Sequence, residues 1–303
     1  MSRKLKDYNV LVKALGNFPL VSLDVNVLRK GENVFKLTKG AEGKGFLPKK
    51  GRPLNDYTWA EIQQITQAGL APEYFNVGDR KEVVLNGTVR ARTLNNYKWY
   101  CYILGFNHNA AVEGNNTIHF QFGFNALTGD AKVAMTDWTG SAINGGTSGP
   151  RFCMKEADNN GGGWEQSLMR TTTIPEFKNC LPSDLKSVLK TVTKYTDNTG
   201  GTSNAAVMVT ATQDDIFLLA EYEVSGSRKY ANAYEYIDGK QAQYDFYKSG
   251  NSKGMRNDQS TETFVSWWYR SPAKDGLYFC DGSGANSRRA YRSHGFAPAF
   301  VVG

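Results

Sequence analysis

Apolar and polar side chains alternate most regularly at residues 117–124, which read T-I-H-F-Q-F-G-F. Successive side chains of a strand point to opposite faces of the sheet, so this stretch predicts a strand with one apolar face. The apolar face would carry Ile118, Phe120, Phe122 and Phe124, and the polar face His119 and Gln121.

Two other stretches have the periodicity of a helix. Thr58 and Glu61 form a capping box at the start of the first, and Gly69 would end it. Residues 182–194 place apolar side chains at i, i+3, i+4 and i+7, which predicts a second, amphipathic helix. We expect these to be the two main helices of the fold.

Further strands are predicted from short apolar runs. The dipeptide Asn86-Gly87 between residues 81–85 and 88–94 is typical of a hairpin turn. Residues 216–224 predict an apolar strand with Glu221 and Glu223 on one face. Two carboxylates in that arrangement could serve glycosidic acid/base chemistry, although solvated or loop-bonded carboxylates are the commoner case. Strands and helices mixed with long loops indicate an α+β fold.

The stretch F-V-S-W-W-Y-R-S-P at residues 264–272 contains four aromatic side chains, two of them adjacent tryptophans. Adjacent tryptophans on a strand must point to opposite faces, so one of Trp267 and Trp268 would face the core and the other a second layer or the surface. Arg270 offers five donors in a planar fork, which we expect to satisfy loop carbonyls. The stretch therefore predicts a core strand.

The chain of 303 residues carries a net charge of +7, and this charge is unevenly distributed. Residues 1–52 hold 12 Lys and Arg against 4 Asp and Glu, whereas the remainder is nearly neutral. We interpret residues 1–52 as a basic attachment segment and residues 53–303 as the folded domain. The aromatics of this segment are not interleaved with its lysines, which disfavours nucleic acid as a partner. No run of about 18 apolar residues predicts a membrane span, and no secretion signal follows the charged N-terminus.

Candidate catalytic and metal-binding patterns are sparse. The four cysteines are widely spaced and form no C-x-x-C pair, so free buried thiols are expected. His108, His119 and His294 have no second ligand at metal-binding spacing. We predict no nucleophile elbow, and the chain has no phosphate-binding glycine loop with its lysine. We therefore expect no metal, no cofactor and no enzymatic activity.

Several motifs occur in one order between residues 54 and 303. They include I-L-G-F-N-H-N (103–109), G-G-W-E-Q-S-L-M-R (162–170), Q-Y-D-F-Y-K-S-G-N-S-K (243–253) and W-W-Y-R-S-P (267–272). This series resembles a family of tailed phages and prophages of gut bacteria that is often encoded beside tail genes. The W-W-Y-R-S-P motif and the ending G-F-A-P-A-F also resemble the C-type-lectin-like fold in its formylglycine-generating-enzyme branch. The ending departs from the expected pattern at A-P-A-F-V-V-G, so the last strand is expected to pack differently.

The resemblance implies that loops near the C-terminus carry a variable binding face. Residues 274–294 fit this role, because tyrosine and arginine among glycine and serine is a composition typical of recognition surfaces. These side chains have no acidic partner at helical or cross-strand spacing. The predicted ligand-binding residues are Tyr278, Arg288, Arg289, Tyr291 and Arg292.

Together these observations predict a phage virion surface protein, associated with the tail or the capsid. It would attach to other virion proteins through residues 1–52, form a homo-oligomer, and bind a host-surface or mucosal ligand, above all a glycan. A purely structural decoration or baseplate subunit is one alternative. An enzyme of the formylglycine-generating type is another, but Cys280 has no partner cysteine nearby in sequence.

Overall fold

The computed structural model describes residues 47–125, 131–137, 152–260, 263–276, 278–281 and 286–303. It also describes the backbone of three short strands nearer the N-terminus, and at residues 278, 280 and 281 the backbone alone. The chain divides into two compact units, Met1–Pro53 and Leu54–Gly303. The first unit contains strands β1 (Ser22–Asp24), β2 (Val27–Lys30) and β3 (Asn33–Lys36), which pair antiparallel in sequence order. Most of the predicted attachment segment lies outside the described residues.

The second unit mixes short helices with antiparallel strands, which confirms the α+β prediction. Its helices are α1 (Trp59–Gln67), α2 (Ala71–Tyr74), α3 (Ala110–Glu113), α4 (Ile174–Cys180), α5 (Ser183–Lys186), α6 (Glu221–Ser225) and α7 (Asp245–Lys248). Its strands are β4 (Arg80–Val89), β5 (Arg92–Phe106), β6 (Ile118–Phe124), β7 (Val133–Ala134), β8 (Val192–Asp197), β9 (Val209–Asp214), β10 (Ile216–Phe217), β11 (Met255–Asn257), β12 (Phe264–Val265), β13 (Trp268–Pro272), β14 (Tyr278–Asp281), β15 (Asn286–Arg289) and β16 (Ala299–Val302). No helix in the described part of the chain is long and apolar enough to cross a membrane.

The central sheet has the strand order β10-β16-β6-β5-β4 and curls into a half-barrel. One of its faces is covered by aromatic side chains. Trp59 of α1 packs edge-on against Phe120 and Phe300, with ring centroids 5.6 and 5.8 Å apart. Helix α1 begins where the sequence predicts, because both bonds of the Thr58–Glu61 capping box are present. Smaller sheets, β12-β11-β7, β13-β14-β15 and β8-β9, complete the unit.

The alternation predicted for β6 holds up to Phe122 and then changes. Tyr100 of β5 pairs with Phe124 while its neighbour Cys101 pairs with Phe122, so the register shifts by one residue at Gly123. A shift of one residue moves a side chain to the opposite face of the sheet. Phe120 and Phe122 therefore lie in the apolar core, whereas Phe124 lies beside Tyr102 on the other face, at a centroid distance of 5.1 Å.

The predicted hairpin turn is wrong in position. Asn86-Gly87 lies within β4, at a register irregularity, and the chain turns at residues 90 and 91 instead. A Cβ on Gly87 would approach the Cys180 Sγ atom to 2.8 Å, so this position needs glycine because α4 crosses closely over the strand. Arg90 takes a positive φ of 53° in the turn, and its N–H donates to Glu176 at 2.6 Å.

Two predicted elements change type. The helix predicted at residues 182–194 ends after the four residues of α5, because Lys190 N–H donates to Val301 carbonyl at 2.8 Å and β8 then pairs with β9. The strand predicted at residues 216–224 ends at Phe217, and Glu221 and Glu223 lie in α6. These two carboxylates therefore do not share a strand face. Tertiary pairing overrides local periodicity in both places.

Both tryptophans of the W-W-Y-R-S-P stretch are fully buried. Trp267 Nε1 donates to Lys253 carbonyl at 3.0 Å, and Trp268 Nε1 donates to Phe152 carbonyl at 2.8 Å. Neither indole is at the surface, because the chain covers both faces of this strand. The predicted strand is divided: β12 (Phe264–Val265) has Phe264 61 % exposed, whereas β13 (Trp268–Pro272) belongs to a different sheet and is buried as predicted. The C-type-lectin-like placement stays a prediction.

Candidate functional site

The predicted ligand-binding residues lie on or beside the third sheet. Arg288 and Arg289 belong to β15, and Tyr291 and Arg292 lie in the turn that follows. Tyr278 belongs to β14, but its side chain is outside the described residues. Arg289 forms an ion pair with Asp158, and both side chains are 40 % exposed. The expectation that none of these residues has an acidic partner is therefore wrong for Arg289.

The two ends of the 274–294 segment belong to the interior. Lys274 Nζ donates to Asp197 Oδ2 at 2.5 Å, and His294 is buried edge-on against Trp268 with a centroid distance of 4.8 Å. Burial lowers the pKa of His294 to about 3, so its ring is neutral at physiological pH. Arg288 Nε donates to Ser266 Oγ at 3.2 Å. Much of this segment thus holds the fold together.

A cleft of about 600 Å³ lies elsewhere, between one end of the central sheet and the sheet β12-β11-β7. Its walls combine basic and aromatic side chains with a loop of small polar residues. We call it the basic cleft. It is lined by Arg80, Lys132 and Arg256, and by Phe124, Phe246 and Phe264.

Lys132 is the most unusual side chain of the basic cleft. It is only 6 % exposed, and its Nζ atom donates to Tyr247 Oη at 3.2 Å. No carboxylate of the described residues lies within ion-pair distance of Lys132, although a buried charge is normally paired. Burial lowers the pKa of this lysine to about 7. A perturbed titratable group on the wall of a cleft is a candidate functional residue.

The two arginines of the basic cleft are positioned by aromatic rings. The Arg80 guanidinium lies 3.6 Å from the centroid of Phe124, which the register shift at Gly123 turns to this side. Arg256 lies 5.0 Å from the ring of Phe264, its direct cross-strand neighbour between β11 and β12. Such contacts help to hold the guanidinium planes in place.

Polar groups complete the walls. Asp79 accepts a hydrogen bond from Asn76 N–H at 2.8 Å through one carboxylate oxygen, in the turn before β4. Asn251 and Ser252 lie in the loop after α7, where Asn251 Nδ2 donates to Phe246 carbonyl and Ser252 Oγ accepts from Gly254 N–H. Among the described residues, the lining includes Arg80, Lys132 and Arg256 together with the carboxylate of Asp79.

A second cluster of charges lies inside the domain, and we call it the charge network. Arg270 holds Glu223 through two hydrogen bonds of 2.6 and 2.8 Å. Lys194 Nζ lies 2.6 Å from Glu113 Oε2 and 3.4 Å from Glu223 Oε1. All four side chains are 5 % exposed or less. The network balances two cations against two carboxylates.

The charges of this network set its titration behaviour. Burial alone would raise the pKa of Glu223, but Arg270 and Lys194 hold it well below its usual range. Burial raises the pKa of Glu113 to about 7, against the opposing effect of Lys194. His108 is stacked on Tyr244 at a centroid distance of 3.6 Å, and burial lowers its pKa to about 3. Its ring is therefore neutral near pH 7.

Three members of this region offer a possible donor set for a metal ion. One ligand atom each of His108, Glu113 and Glu223 lies within 4.8 Å of the others. The Lys194 ammonium already contacts both carboxylates, so a divalent ion would add two charges to a balanced cluster. The arrangement is better suited to holding β8, α3, α6 and β13 together than to metal chemistry.

Helix α7 connects the two charged regions. Tyr244, directly before it, accepts from Lys194 Nζ at 3.2 Å, while Tyr247 within it accepts from Lys132 Nζ. Tyr247 Oη also donates to Gln121 Oε1 at 2.7 Å, on the polar face of β6. The sequence correctly predicts that His119 and Gln121 share this face, and the structure shows that it meets the tyrosines of α7.

The residues of the basic cleft were not predicted from the sequence. Lys132 precedes a short apolar run and matches no motif, and Arg80, Arg256 and Phe264 belong to three separate strands. The glycine, serine and asparagine of residues 249–254 are typical of a loop and are a signal that could have located this wall of the cleft. Convergence of distant segments created the cleft.

The fold and the cleft together define the class of this protein: an α+β domain with a basic cleft lined by aromatic side chains. A family model described as a domain of unknown function, DUF6273, matches residues 152–303, and the chain belongs to this family. No curated protein and no solved structure matches the chain. The matched part contains Arg256 and Phe264, whereas Arg80, Phe124 and Lys132 precede it.

Proposed function

We propose that this protein is a non-enzymatic recognition protein of a virion surface that binds an anionic ligand of the host surface in the basic cleft. The observation that carries the proposal is the buried Lys132 ammonium, which no carboxylate of the described residues balances. A bound anion would supply the missing counter-charge. Arg80 and Arg256 line the same cleft.

The virion location rests on the resemblance of the ordered motifs to a phage family. In this proposal residues 1–52 attach the protein to other virion proteins, and residues 53–303 present the cleft. The proposal moves the expected binding site from the 274–294 segment to the basic cleft, because Lys274 and His294 are committed to the interior.

The test measures binding of the full chain to three immobilised polysaccharides: alginate, which is carboxylated, dextran sulfate, and neutral dextran. We expect binding to at least one anionic polymer, no binding to dextran, and weakening as salt rises. The variant K132M should weaken anion binding by about tenfold or more, the size of a lost charge-assisted hydrogen bond.

The matched control is K98M. Lys98 is a surface lysine of β5 with a side chain 59 % exposed, it lies outside the cleft lining, and its removal changes the net charge equally. K98M should bind like the wild type. Equal losses in K98M and K132M, or no anion binding at all, would contradict the proposal and favour a purely structural virion subunit.

A further inference from the structure

We propose that the ligand of the basic cleft is a carboxylate-bearing sugar residue, whose carboxylate meets Lys132 and whose ring stacks on Phe264. This inference rests on the proposed function and specifies its ligand. It is carried by three features of the described part of the cleft: an exposed aromatic ring, a buried ammonium and a carboxylate acceptor.

Phe264 is exposed in a way that few apolar residues of this protein are. Among the described residues the large apolar side chains that are mostly exposed are Val207 at 82 % and Phe264 at 61 %. Phe264 lines the basic cleft, and Arg256 supports its ring from the neighbouring strand. A ring held in place at the rim of a cleft offers a flat apolar surface, which suits the C–H face of a sugar ring.

Lys132 selects the charged group of the ligand. Its ammonium lies 4.5 Å from the centroid of Tyr247 and donates to the hydroxyl of that tyrosine, so a ligand oxygen can accept its remaining protons. An N⁺–H···O⁻ bond in a partly desolvated site is about twice as strong as a neutral one. A monovalent carboxylate is sufficient to balance this one charge.

The presence of Asp79 in the cleft indicates a ligand that also carries hydroxyl groups. A carboxylate on the wall of a basic cleft repels a densely charged phosphate or sulfate, but it accepts hydrogen bonds from hydroxyl groups. Ser252 adds a hydroxyl proton to donate, because its oxygen already accepts from Gly254 N–H. An acidic sugar combines both requirements, since it has one carboxylate and several hydroxyls.

The size of the cleft agrees with this ligand. A volume of about 600 Å³ is within the usual range for small-molecule sites and accommodates one or two sugar rings. Its walls include few apolar groups besides the phenylalanines, so a wholly apolar ligand is disfavoured. One acidic residue of a longer polysaccharide could enter while the rest of the polymer stays outside.

The experiment measures the affinity of the full chain for galacturonate, glucuronate and N-acetylneuraminate by calorimetry. Galactose, acetate and inorganic phosphate serve as comparison ligands. We expect the acidic sugars to bind more tightly than galactose and than acetate, because only they use both Lys132 and Phe264. K132M should lower acidic-sugar affinity by about tenfold or more. F264A should lower it by roughly threefold to tenfold.

Matched controls separate stacking from general damage. V207A removes the other exposed apolar side chain and should leave every affinity unchanged, since Val207 lies outside the cleft lining. F264A should leave acetate binding unchanged, because acetate has no ring to stack.

Three outcomes would overturn the inference. Phosphate or dextran sulfate binding better than the acidic sugars, with loss in K132M, would leave the proposed anion-binding function standing but remove the sugar. Equal binding of acetate and the acidic sugars would remove the role of Phe264. Absence of binding to all of these anions would overturn both proposals together.

Discussion

The charge network and the basic cleft both hold positive charges away from water, but they differ in how those charges are balanced. In the charge network Arg270 and Lys194 each contact a carboxylate within 2.6 Å. In the cleft Lys132 contacts a tyrosine hydroxyl and two aromatic rings. The charge network contacts Tyr244, directly before helix α7, and Lys132 contacts Phe246 and Tyr247 within that helix.

This difference separates a structural from a ligand-binding use of buried charge. A paired charge gains its compensation inside the chain and depends on no other molecule. An ammonium that lacks a counter-charge lowers the stability of the unliganded protein, and a bound anion restores the balance. The cleft is therefore the region in which binding free energy is available.

The largest effect is expected from breaking the charge network. R270M leaves Glu223 buried with only Lys194 beside it, and removing one partner of a buried ion pair typically costs about 3–5 kcal/mol. Urea unfolding monitored by tryptophan fluorescence measures the loss. The double variant R270M/E223Q should recover part of it, because it removes the stranded charge. A single variant as stable as the wild type would show that Arg270 is not structural.

Removing the Lys132 charge from the cleft should change the free energy of unfolding in the opposite direction to R270M. K132M at pH 6 removes a buried ammonium and leaves an apolar side chain of similar length, so the free energy of unfolding should stay unchanged or rise by up to about 2 kcal/mol. The same unfolding experiment measures it. A marked loss of stability in K132M would mean that Lys132 is part of the fold in the way that Arg270 is.

An effect of intermediate size is expected when the affinity of the cleft for a ligand is measured as a function of pH. Burial lowers the pKa of Lys132 to about 7, so the ammonium prevails at pH 6 and the neutral amine at pH 8. The neutral amine of Lys132 does not attract an anion as the ammonium does. The affinity for galacturonate should therefore fall by about tenfold between pH 6 and pH 8. Burial raises the pKa of Tyr247, the hydrogen-bond partner of Lys132.

The control for that titration is the pH dependence of galacturonate affinity in K132M. Burial also raises the pKa of Glu113 and of Glu235 to about 7, so both carboxyl groups titrate in the same window. They belong to the interior in both proteins and affect both profiles equally. The residual affinity of K132M should be flat with pH, and a parallel decline would assign the titration to these carboxyl groups.

The smallest effect is expected from an exposed pair. R289A removes the Arg289–Asp158 contact, in which both side chains are 40 % exposed. Exposed ion pairs contribute about 0–1 kcal/mol, so the melting temperature should hardly change. Sugar binding should also be unchanged, because Arg289 lies outside the cleft lining. A clear loss of sugar binding would return the site to the 274–294 segment.

Local patterns predicted those elements that depend on neighbouring residues. The capping box at Thr58, and the alternation of β6 as far as Phe122, appear in the structure because both depend on residues close together in the chain. The helix predicted at residues 182–194 failed because strand pairing with Val301 and β9 competes with it. The periodicity of apolar residues does not show whether helix formation or strand pairing is the more stable.

The candidate site depends on longer-range geometry than any of these. Phe124 faces the cleft only because the register shifts at Gly123, and Arg256 meets Phe264 only through the pairing of β11 with β12. The 274–294 segment has the composition of a binding surface, yet its arginines and lysine find partners such as Asp158 and Asp197. Composition shows which groups are present, and the fold decides which are already engaged.

The position of β16 has a consequence for how the protein is made. Val302 pairs with Ile118 and Phe300 with Phe120, so the middle of the central sheet joins segments that the ribosome produces far apart in time. Until residues 299–302 emerge, β6 and β10 both lack this neighbour, and their open edges can pair with another chain. Pairings this distant in sequence also slow folding. We therefore expect low temperature and added chaperones to raise the yield of folded protein, because both limit aggregation while β16 is still missing from the sheet.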